Sequence, residues 1–289
     1  MKRALVLSSG GSRGQFHVGA VRHLMGDLGQ HYDIFAGVSV GALIAGFLAQ
    51  YPQGEEQAAA EGLTELFTPL SNKHIYRPWR MGLMSGFWKS SLYDATPLRE
   101  LLRTAVDVER VRANGKQLLF GATSLTTGAY RLFSQEDEPF HDLLYASAAF
   151  PVAFDPIHIG DELWTDGGIR AVTPLGAAIR AGADAVDMLL LTPTNPTPRF
   201  DPTASAIEVG LRCLDIMLDE IVDNDAKMAA MMNRLIAEGG TLPGKRHVDI
   251  RIIRPAEELP VVSHVFDPQH AASIQALGYE TAKAALGSR

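Results

Sequence analysis

A serine flanked by glycines lies in the pentapeptide Gly37-Val38-Ser39-Val40-Gly41. The apolar run Ile34–Val38 predicts a strand before the turn, and the run Ala42–Tyr51 predicts a buried helix after it. A Gly-x-Ser-x-Gly turn between a strand and a helix exposes the serine as a nucleophile, and its glycines, here Gly37 and Gly41, avoid clashes with the neighbouring backbone. The start of the helix favours negative charge developing beside Ser39. Taken alone, the pentapeptide also fits a structural turn.

A second glycine cluster, Ser9-Gly10-Gly11-Ser12-Arg13-Gly14, follows the predicted strand Ala4–Ser8. Such a loop exposes backbone N–H groups and can bind an anion. A dinucleotide site and an oxyanion hole both need this property. Serine at position 9 breaks the Gly-x-Gly-x-x-Gly pattern, and the second strand runs directly into Ser39, which favours the oxyanion hole. Its candidate residues are Gly10, Gly11, Ser12, Arg13 and Gly14; Arg13 fits an orienting role and a solvated loop arginine equally well.

The third motif is Asp166-Gly167-Gly168, which follows the predicted strand Leu163–Thr165. A serine nucleophile needs a general base, and none of the nine histidines lies in a comparably constrained glycine setting. An Asp-Gly turn is also common for structural reasons. A carboxylate of ordinary pKa is a poor base, and burial raises that pKa. We therefore expect any catalytic Asp166 to lie in a site shielded by apolar surface.

These three motifs together resemble those of the patatin-like phospholipase family. The similarity continues in family order through Ser91–Asp94 and Ala146–Pro151 to Asp267-Pro268 and Gly278-Tyr279, so it covers nearly the whole chain. The main departure is Ser9, where the family usually has glycine. Serine would be strained there if the position required a positive φ.

The resemblance implies a catalytic dyad without histidine. Ser39 would attack an ester carbonyl, while Asp166 would accept the proton and later activate the deacylating water. The amides of Gly10, Gly11 and Ser12 would hold the oxyanion. The implied partner is a lipid or ester substrate. The sequence has no acidic loop of the EF-hand type, and we expect neither a metal nor another cofactor.

Two alternatives remain at this point. One is an α/β-hydrolase esterase with a Ser-His-Asp triad that uses His247, His264 or His270, although that fold normally places its serine after several strands. The other is a nucleotide-binding module without catalysis. Alanine substitution of the histidines and a fluorophosphonate probe would separate these alternatives from the dyad.

The elements that must position the motifs begin in the order strand, loop, helix, strand, turn, helix, which predicts a parallel sheet covered by helices. With the family resemblance, the expected fold class is α/β: a three-layer α/β/α arrangement with a mostly parallel central sheet, patatin-like. We expect one domain over residues 1–289, with core motifs in 4–191 and the C-terminal helices and strand of 203–289 packed on it.

Further patterns predict helices and strands, as follows. Helices are expected at Gln15–Leu28, Glu55–Phe67, Pro97–Val106, His141–Ala149, within Ser205–Ala237, and at Pro268–Leu286; strands are expected at Gln117–Ser124, Tyr130–Ser134, Pro156–Ile159, Val186–Leu191 and Val248–Ile253.

Composition narrows the class of protein. The 289 residues carry a formal net charge of −7, which argues against nucleic acid as a partner. The lone Cys213 allows no intramolecular disulfide, and its apolar surroundings predict that it is buried.

No apolar run reaches the ~18 residues that suggest a membrane span. We expect a cytoplasmic protein whose membrane contact, where made, is peripheral; residues 79–88 are a candidate lid or membrane-contact segment, or else cap the core. The oligomeric state is left open.

Overall fold

The computed structural model describes residues 1–79, 90–196, 205–239 and 246–287. The strands, in chain order, are β1 (Arg3–Leu7), β2 (Ile34–Gly37), β3 (Arg77–Pro78), β4 (Tyr93–Asp94), β5 (Gln117–Ser124), β6 (Tyr130–Ser134), β7 (Ile157–Ile159), β8 (Glu162–Asp166), β9 (Ala185–Leu189) and β10 (Asp249–Ile253). Eight of them form one sheet in the order β10-β9-β1-β2-β5-β8-β7, with β6 also paired to β5. The strands from β10 to β5 pair in parallel, whereas β6, β7 and β8 pair antiparallel.

Helices cover both faces of this sheet. They are α1 (Gln15–Val21), α2 (Val40–Ala49), α3 (Glu56–Phe67), α4 (Asn72–Ile75), α5 (Thr96–Ala105), α6 (Val108–Ala113), α7 (Phe140–Ala148), α8 (Leu175–Arg180), α9 (Ala206–Ala237) and α10 (Pro268–Gly287). Alternate residues of β1 point to opposite faces, as the pleat requires. Leu5 and Leu7 join a core with α1, α2, α3, α5, α7 and α10, while Ala4 and Val6 join a core with α8 and α9. The predicted three-layer α/β/α class with a mostly parallel sheet is therefore confirmed.

The main differences from the sequence prediction lie in short elements and in one helix face. The helix predicted over Gln15–Leu28 ends at Val21 and continues as a π-helical segment, Arg22–Asp27. The short helices α4, α6 and α8 were not predicted, because fewer than two turns give too little apolar periodicity. The prediction that Cys213 is buried was wrong: it lies on the exposed side of α9.

The candidate lid segment 79–88 lies outside the described residues, apart from Trp79, whose indole N–H donates to the carbonyl of Ser91 at 3.1 Å. Among the described residues, no helix is both long enough and apolar enough to cross a membrane.

Candidate active site

Strand β5 brings Ser39 and Asp166 together. Both β2 and β8 pair with β5. Gly37, the last residue of β2, pairs with Phe120 of β5. Two residues further along β5, Ala122 pairs with Asp166 of β8. The turn that follows β2 and the end of β8 therefore lie close together beside β5, although their residues are far apart in sequence.

The backbone at Ser39 is strained, with φ 57° and ψ −129°. A non-glycine residue with positive φ is uncommon, and such conformations are frequent at functional sites. A Cβ at Gly37 would lie 2.2 Å from the carbonyl oxygen of Gly41, and a Cβ at Gly41 would lie 2.4 Å from the carbonyl oxygen of Leu7. Both glycines are thus required by backbone contacts, and they allow the sharp turn that places Ser39 at the start of α2.

Ser147, at the end of α7, supports the elbow from the adjoining helix. Its Oγ accepts a hydrogen bond from the amide of Ser39 at 3.2 Å, and the side chain is fully buried. Sequence reasoning did not identify Ser147 as part of the site. The available signal was its place in the segment Ala146–Pro151, which belongs to the family resemblance but carries no chemical motif of its own.

Asp166 is buried beside Ser39, with 2% of its surface exposed. Its Oδ1 accepts a hydrogen bond from the amide of Gly168 at 2.7 Å, whereas Oδ2 is buried and has no hydrogen-bond partner among the described residues. Burial raises the pKa of Asp166 to about 7, opposed by the Gly168 amide and by the nearby Ser39 hydroxyl. The approach of that hydroxyl is looser than a formed hydrogen bond. The arrangement places a hydroxyl beside a carboxyl whose raised pKa favours acceptance of a proton.

Gly167 allows β8 to approach β5 closely. A Cβ at this position would lie 2.2 Å from the carbonyl oxygen of Gly121, so any side chain would push the end of β8 away from its neighbour. Together with the amide of Gly168, this contact fixes the carboxyl of Asp166 in place.

The glycine loop presents fewer free amides than the sequence suggested. The amide of Ser12 donates to the carbonyl of Ser263 at 2.8 Å, and that of Arg13 donates to the carbonyl of Gly10 at 3.2 Å. The expectation that the Ser12 amide faces an oxyanion therefore needs correction. The amides of Gly10 and Gly11 have no hydrogen-bond partner in the described part of the chain. These two remain as donors for an anion beside Ser39.

Positive φ is confined in this loop to Gly10, at 151°, and Gly11, at 57°. Ser9 does not have a positive φ, so serine in place of the family's glycine creates no backbone strain. Gly14 is needed for another reason, because a Cβ there would lie 2.5 Å from a methyl group of Val40. The loop is thereby seated directly on the first turn of α2.

His17 holds the end of β1 beneath this loop. Its ring is fully buried, and Nε2 lies 3.1 Å from the carbonyl oxygen of Ser8. Burial lowers the pKa of His17 to about 4, opposed by the bond to Ser8, so the ring is neutral near pH 7 and donates to that carbonyl. The sequence offered only a histidine at helical spacing among apolar residues and gave no sign of this contact.

Two apolar cavities meet at Ser39. The acyl cavity, as we call the first, follows α2 inward; besides Ser39 and Gly11, its walls are apolar side chains from α2, α3, α5 and neighbouring segments, including Leu43, Phe47 and Leu102. The outer cavity contains Asp166, Gly10 and Arg13 and is covered by α9. Apolar residues of α9 that line the outer cavity are Leu214, Met217, Leu218 and Ile221.

The three histidines of the triad alternative lie in different places. His264 lines the outer cavity together with Ser39 and Asp166. His247 is exposed before β10, and His270 forms an exposed ion pair with Asp267 at 3.3 Å. Of these three, His264 alone lines the cavity that holds Ser39. Among the described residues, no cluster of three or more His, Cys, Asp or Glu side chains could hold a metal ion.

Comparison with known proteins gives a consistent family. A model described as patatin-like phospholipase matches residues 5–179. The chain is 24% identical over 195 residues to a cGAMP-activated phospholipase of Escherichia coli and 28% identical over 186 residues to a probable lipid hydrolase of Invertebrate iridescent virus 6. These alignments cover 60% and 62% of this chain, and 53% and 63% of the two relatives.

The chain thus aligns with between about half and just under two thirds of the length of these relatives. Among solved structures, the crystal structure of VipD from Legionella pneumophila is similar, with 14% identity and a TM-score of 0.48. That comparison covers 99% of this chain and 67% of VipD.

Proposed function

The chain belongs to the patatin-like phospholipase family, and from this premise we propose that it hydrolyses carboxylic ester bonds of phospholipids or related lipids through Ser39 and Asp166. The observation that carries the proposal is the buried carboxyl of Asp166, with pKa raised to about 7, beside a serine held at positive φ. A turn with a purely structural role would gain no stability from a strained serine, nor from a buried carboxyl with one oxygen that lacks a hydrogen-bond partner.

The reaction proceeds in two steps. In the first, Oγ of Ser39 attacks the ester carbonyl carbon while Asp166 takes the hydroxyl proton. The tetrahedral intermediate collapses, the alcohol leaves with that proton, and the acyl group stays on Ser39. In the second step, Asp166 takes a proton from water, the resulting hydroxide attacks the acyl carbon, and the proton returns to Oγ as the fatty acid leaves. A carboxylate whose pKa is near the working pH suits both directions of transfer.

The amides of Gly10 and Gly11 are the proposed oxyanion donors. They lie in the loop seated on α2, on the same cavity wall as Ser39. The bonds from the Ser12 amide and the His17 ring hold the loop and the preceding strand end in place, so the donors need little reorganisation during reaction.

The acyl cavity is the proposed site for the fatty acyl chain. Its apolar lining favours a hydrocarbon chain over a polar head group, because each buried methylene contributes roughly 0.8 kcal/mol. The alcohol part of the substrate then occupies the outer cavity, where Arg13 is the cationic residue on the wall.

The rim of the outer cavity supports contact with a lipid surface. Four valine or methionine side chains at or next to its lining are exposed by between 39% and 61%: Val152, Met217, Val262 and Val265. Val152 is held at φ 70°, which is unfavourable for a β-branched residue. Because these exposed apolar side chains belong to, or directly adjoin in sequence, the residues that line the cavity containing Ser39, we propose that the protein docks there on the membrane from which it draws its substrate.

Hydrolysis of graded esters and phospholipids by the wild type, Ser39→Ala and Asp166→Asn tests the proposed chemistry. Both variants should lose at least about a thousandfold in kcat while remaining folded, and a fluorophosphonate probe should label the wild type but not Ser39→Ala. His264→Ala should keep most of the activity. Loss of activity in His264→Ala with retention in Asp166→Asn would instead identify a histidine base.

Docking on lipid is tested separately with Val262→Asp. We expect about tenfold weaker binding to phosphatidylcholine vesicles, because a buried valine contributes roughly 1.5 kcal/mol or more. Hydrolysis of a soluble short-chain ester should be unchanged. The matched control is Leu28→Asp, which alters a residue exposed by 53% after α1, and equal vesicle binding by the two variants would contradict docking at the rim.

A further inference from the structure

We propose that Asn72, the first residue of α4, is a positioning residue for the glycine loop that supplies the oxyanion donors. Asn72 is not one of the described residues that line the acyl cavity or the outer cavity, so its effect passes through other residues. These are residues 262–266, the bridging segment, which lies beyond residue 179, where the match to the family model ends. The inference rests on the proposed function, because the placement of the Gly10 and Gly11 amides affects hydrolysis only if they bind the oxyanion.

The glycine loop is bonded to one side of the bridging segment. The amide of Ser12 donates to the carbonyl of Ser263 at 2.8 Å, and its hydroxyl donates to the carbonyl of Val262 at 2.9 Å. The Ser263 carbonyl oxygen also lies against Gly11, where a Cβ would be only 2.0 Å away. The loop therefore has no room to move toward the segment, and it cannot move away without breaking two hydrogen bonds.

The other side of the bridging segment is bonded to α4 and the residue after it. The amide of Phe266 donates to Oδ1 of Asn72 at 2.7 Å, and its carbonyl accepts from the amide of Asn72 at 3.2 Å. The hydroxyl of Tyr76 donates to the carbonyl of His264 at 3.1 Å. The segment is thus held between α4 and the glycine loop, by hydrogen bonds to its backbone from both.

The bridging segment depends on such individual bonds. Residues 254–267, which connect β10 to α10, form neither helix nor strand, so no regular ladder of hydrogen bonds fixes their backbone. Removal of the Asn72 carboxamide would leave the Phe266 amide without its acceptor and loosen this end of the segment. Because Gly11 and Ser12 contact the same segment, the displacement reaches the oxyanion donors, whose aim must be accurate for them to stabilise the transition state.

Steady-state kinetics with a soluble butanoate ester tests the role of Asn72. Asn72→Ala should lower kcat about tenfold with little change in KM, because the negative charge on the oxyanion develops only in the transition state. Asn72→Asp keeps an oxygen acceptor for the Phe266 amide and should restore most of the lost kcat. The matched control is Lys73→Ala, which alters an exposed side chain on the same helix and should behave as the wild type. Equal kcat in Asn72→Ala and Lys73→Ala, or no rescue by Asn72→Asp, would overturn the proposal.

A double-mutant cycle tests whether Asn72 acts through the bridging segment. Ser12→Ala removes the hydrogen bond to Val262 and so loosens the segment from the side of the glycine loop. If both substitutions act on the same segment, the loss of kcat in the double variant should differ at least about threefold from the product of the two single losses. A loss equal to that product would show that the two residues act independently, which contradicts the proposal.

Hydrogen exchange measured by NMR tests the same connection without a substrate. The amide of Ser12 should exchange about tenfold faster in Asn72→Ala than in the wild type or Lys73→Ala, because the opening of its bond to Ser263 becomes easier. The amide of Leu5, buried in β1, should keep its wild-type rate. Unchanged exchange at Ser12, or an equal increase at Leu5, would overturn the proposal. A wild type that cleaves no ester would instead contradict the proposed function, and this measurement would still be interpretable.

Discussion

At the residue scale, the site depends on the removal of one carboxyl from water. Asp166 differs from an ordinary aspartate in its burial, its single amide donor and its position beside Ser39. Desolvation penalises the carboxylate and raises its proton affinity toward that required of a base at neutral pH. Had Oδ2 also accepted a backbone amide, the carboxylate would be better stabilised and a weaker base. The unpartnered oxygen is therefore consistent with a role in proton transfer.

The pH dependence of the reaction follows from this carboxyl. Only ionised Asp166 can accept a proton, so kcat/KM for a soluble ester should be low in acid, rise with a midpoint at about pH 7 and level off above it. A steady-state pH profile with a short-chain ester measures this, because kcat/KM reports ionisation in the free enzyme. A midpoint near pH 4 would mean that an ordinary, solvated carboxylate limits the rate.

At the element scale, long periodic segments could be predicted from sequence, while contacts between distant segments could not. Strands β5 and β6 match their predicted bounds, and α3 differs by one residue, because each has a clear pattern over several residues. The Gly-x-Ser-x-Gly turn was found because its backbone geometry restricts its residue types. The bond from Ser12 to Ser263 and that from Ser39 to Ser147 join segments far apart in sequence, and serine gives no local sign of such partners.

The positions of two side chains on α2 lead to a prediction about which acyl chain lengths are accepted. Leu43 and Phe47 lie about one and two turns beyond Ser39, so they face the acyl cavity at depths of roughly 6 and 12 Å. Leu43→Phe should block the cavity midway and lower kcat/KM for decanoate esters at least tenfold, while butanoate esters are still cleaved. Phe47→Ala should shift the preference toward longer chains. Kinetics over a series of p-nitrophenyl esters measures both changes, and identical chain-length profiles for the two variants would exclude this cavity as the acyl site.

At the scale of the whole molecule, helix α10 packs directly against α1. A Cβ at Gly278 would lie 2.0 Å from the carbonyl oxygen of Phe16, and one at Gly19 would lie 1.8 Å from that of Gln275. Each glycine lets the backbone of the opposite helix approach, so α1 and α10 pack almost backbone to backbone. Since α1 begins directly after the glycine loop, we propose that residues 1–289 form one cooperative domain.

Gly278→Ala tests this proposal. The added methyl group must push α10 away from α1, and overpacking of this kind costs roughly 1–3 kcal/mol in the free energy of unfolding. Urea denaturation should still show one transition, at lower denaturant concentration. Gly210→Ala on α9 is the control, since a Cβ there meets no atom within 4 Å and alanine favours a helix. Two separate transitions in the wild type would contradict a single domain.

The stability of the whole protein should carry two opposing pH dependences. Burial raises the pKa of Asp166 to about 7, whereas the pKa in the unfolded chain is near 4. Between these two pH values, folding therefore takes up a proton. The contribution of Asp166 to the free energy of unfolding is complete in acid and is lost as the pH rises. Burial lowers the pKa of His17 to about 4, so folding releases a proton between pH 4 and 6.5; this contribution is complete above pH 6.5 and is lost as the pH falls. In the wild type the two slopes nearly cancel over this range.

Single substitutions should reveal each slope. Asp166→Asn leaves the His17 dependence, so its free energy of unfolding should rise relative to that of the wild type by about 1.4 kcal/mol per pH unit between pH 4 and 6.5. His17→Gln, which keeps a donor for the carbonyl of Ser8, leaves the Asp166 dependence and should show the opposite slope. The double variant should again follow the wild type, because both terms are absent. Urea denaturation at intervals across this range measures all four proteins. Parallel curves for the two single variants would show that these side chains do not titrate in opposite senses on folding. The assignment of Asp166 as a buried acid and of His17 as a buried neutral histidine would then be wrong.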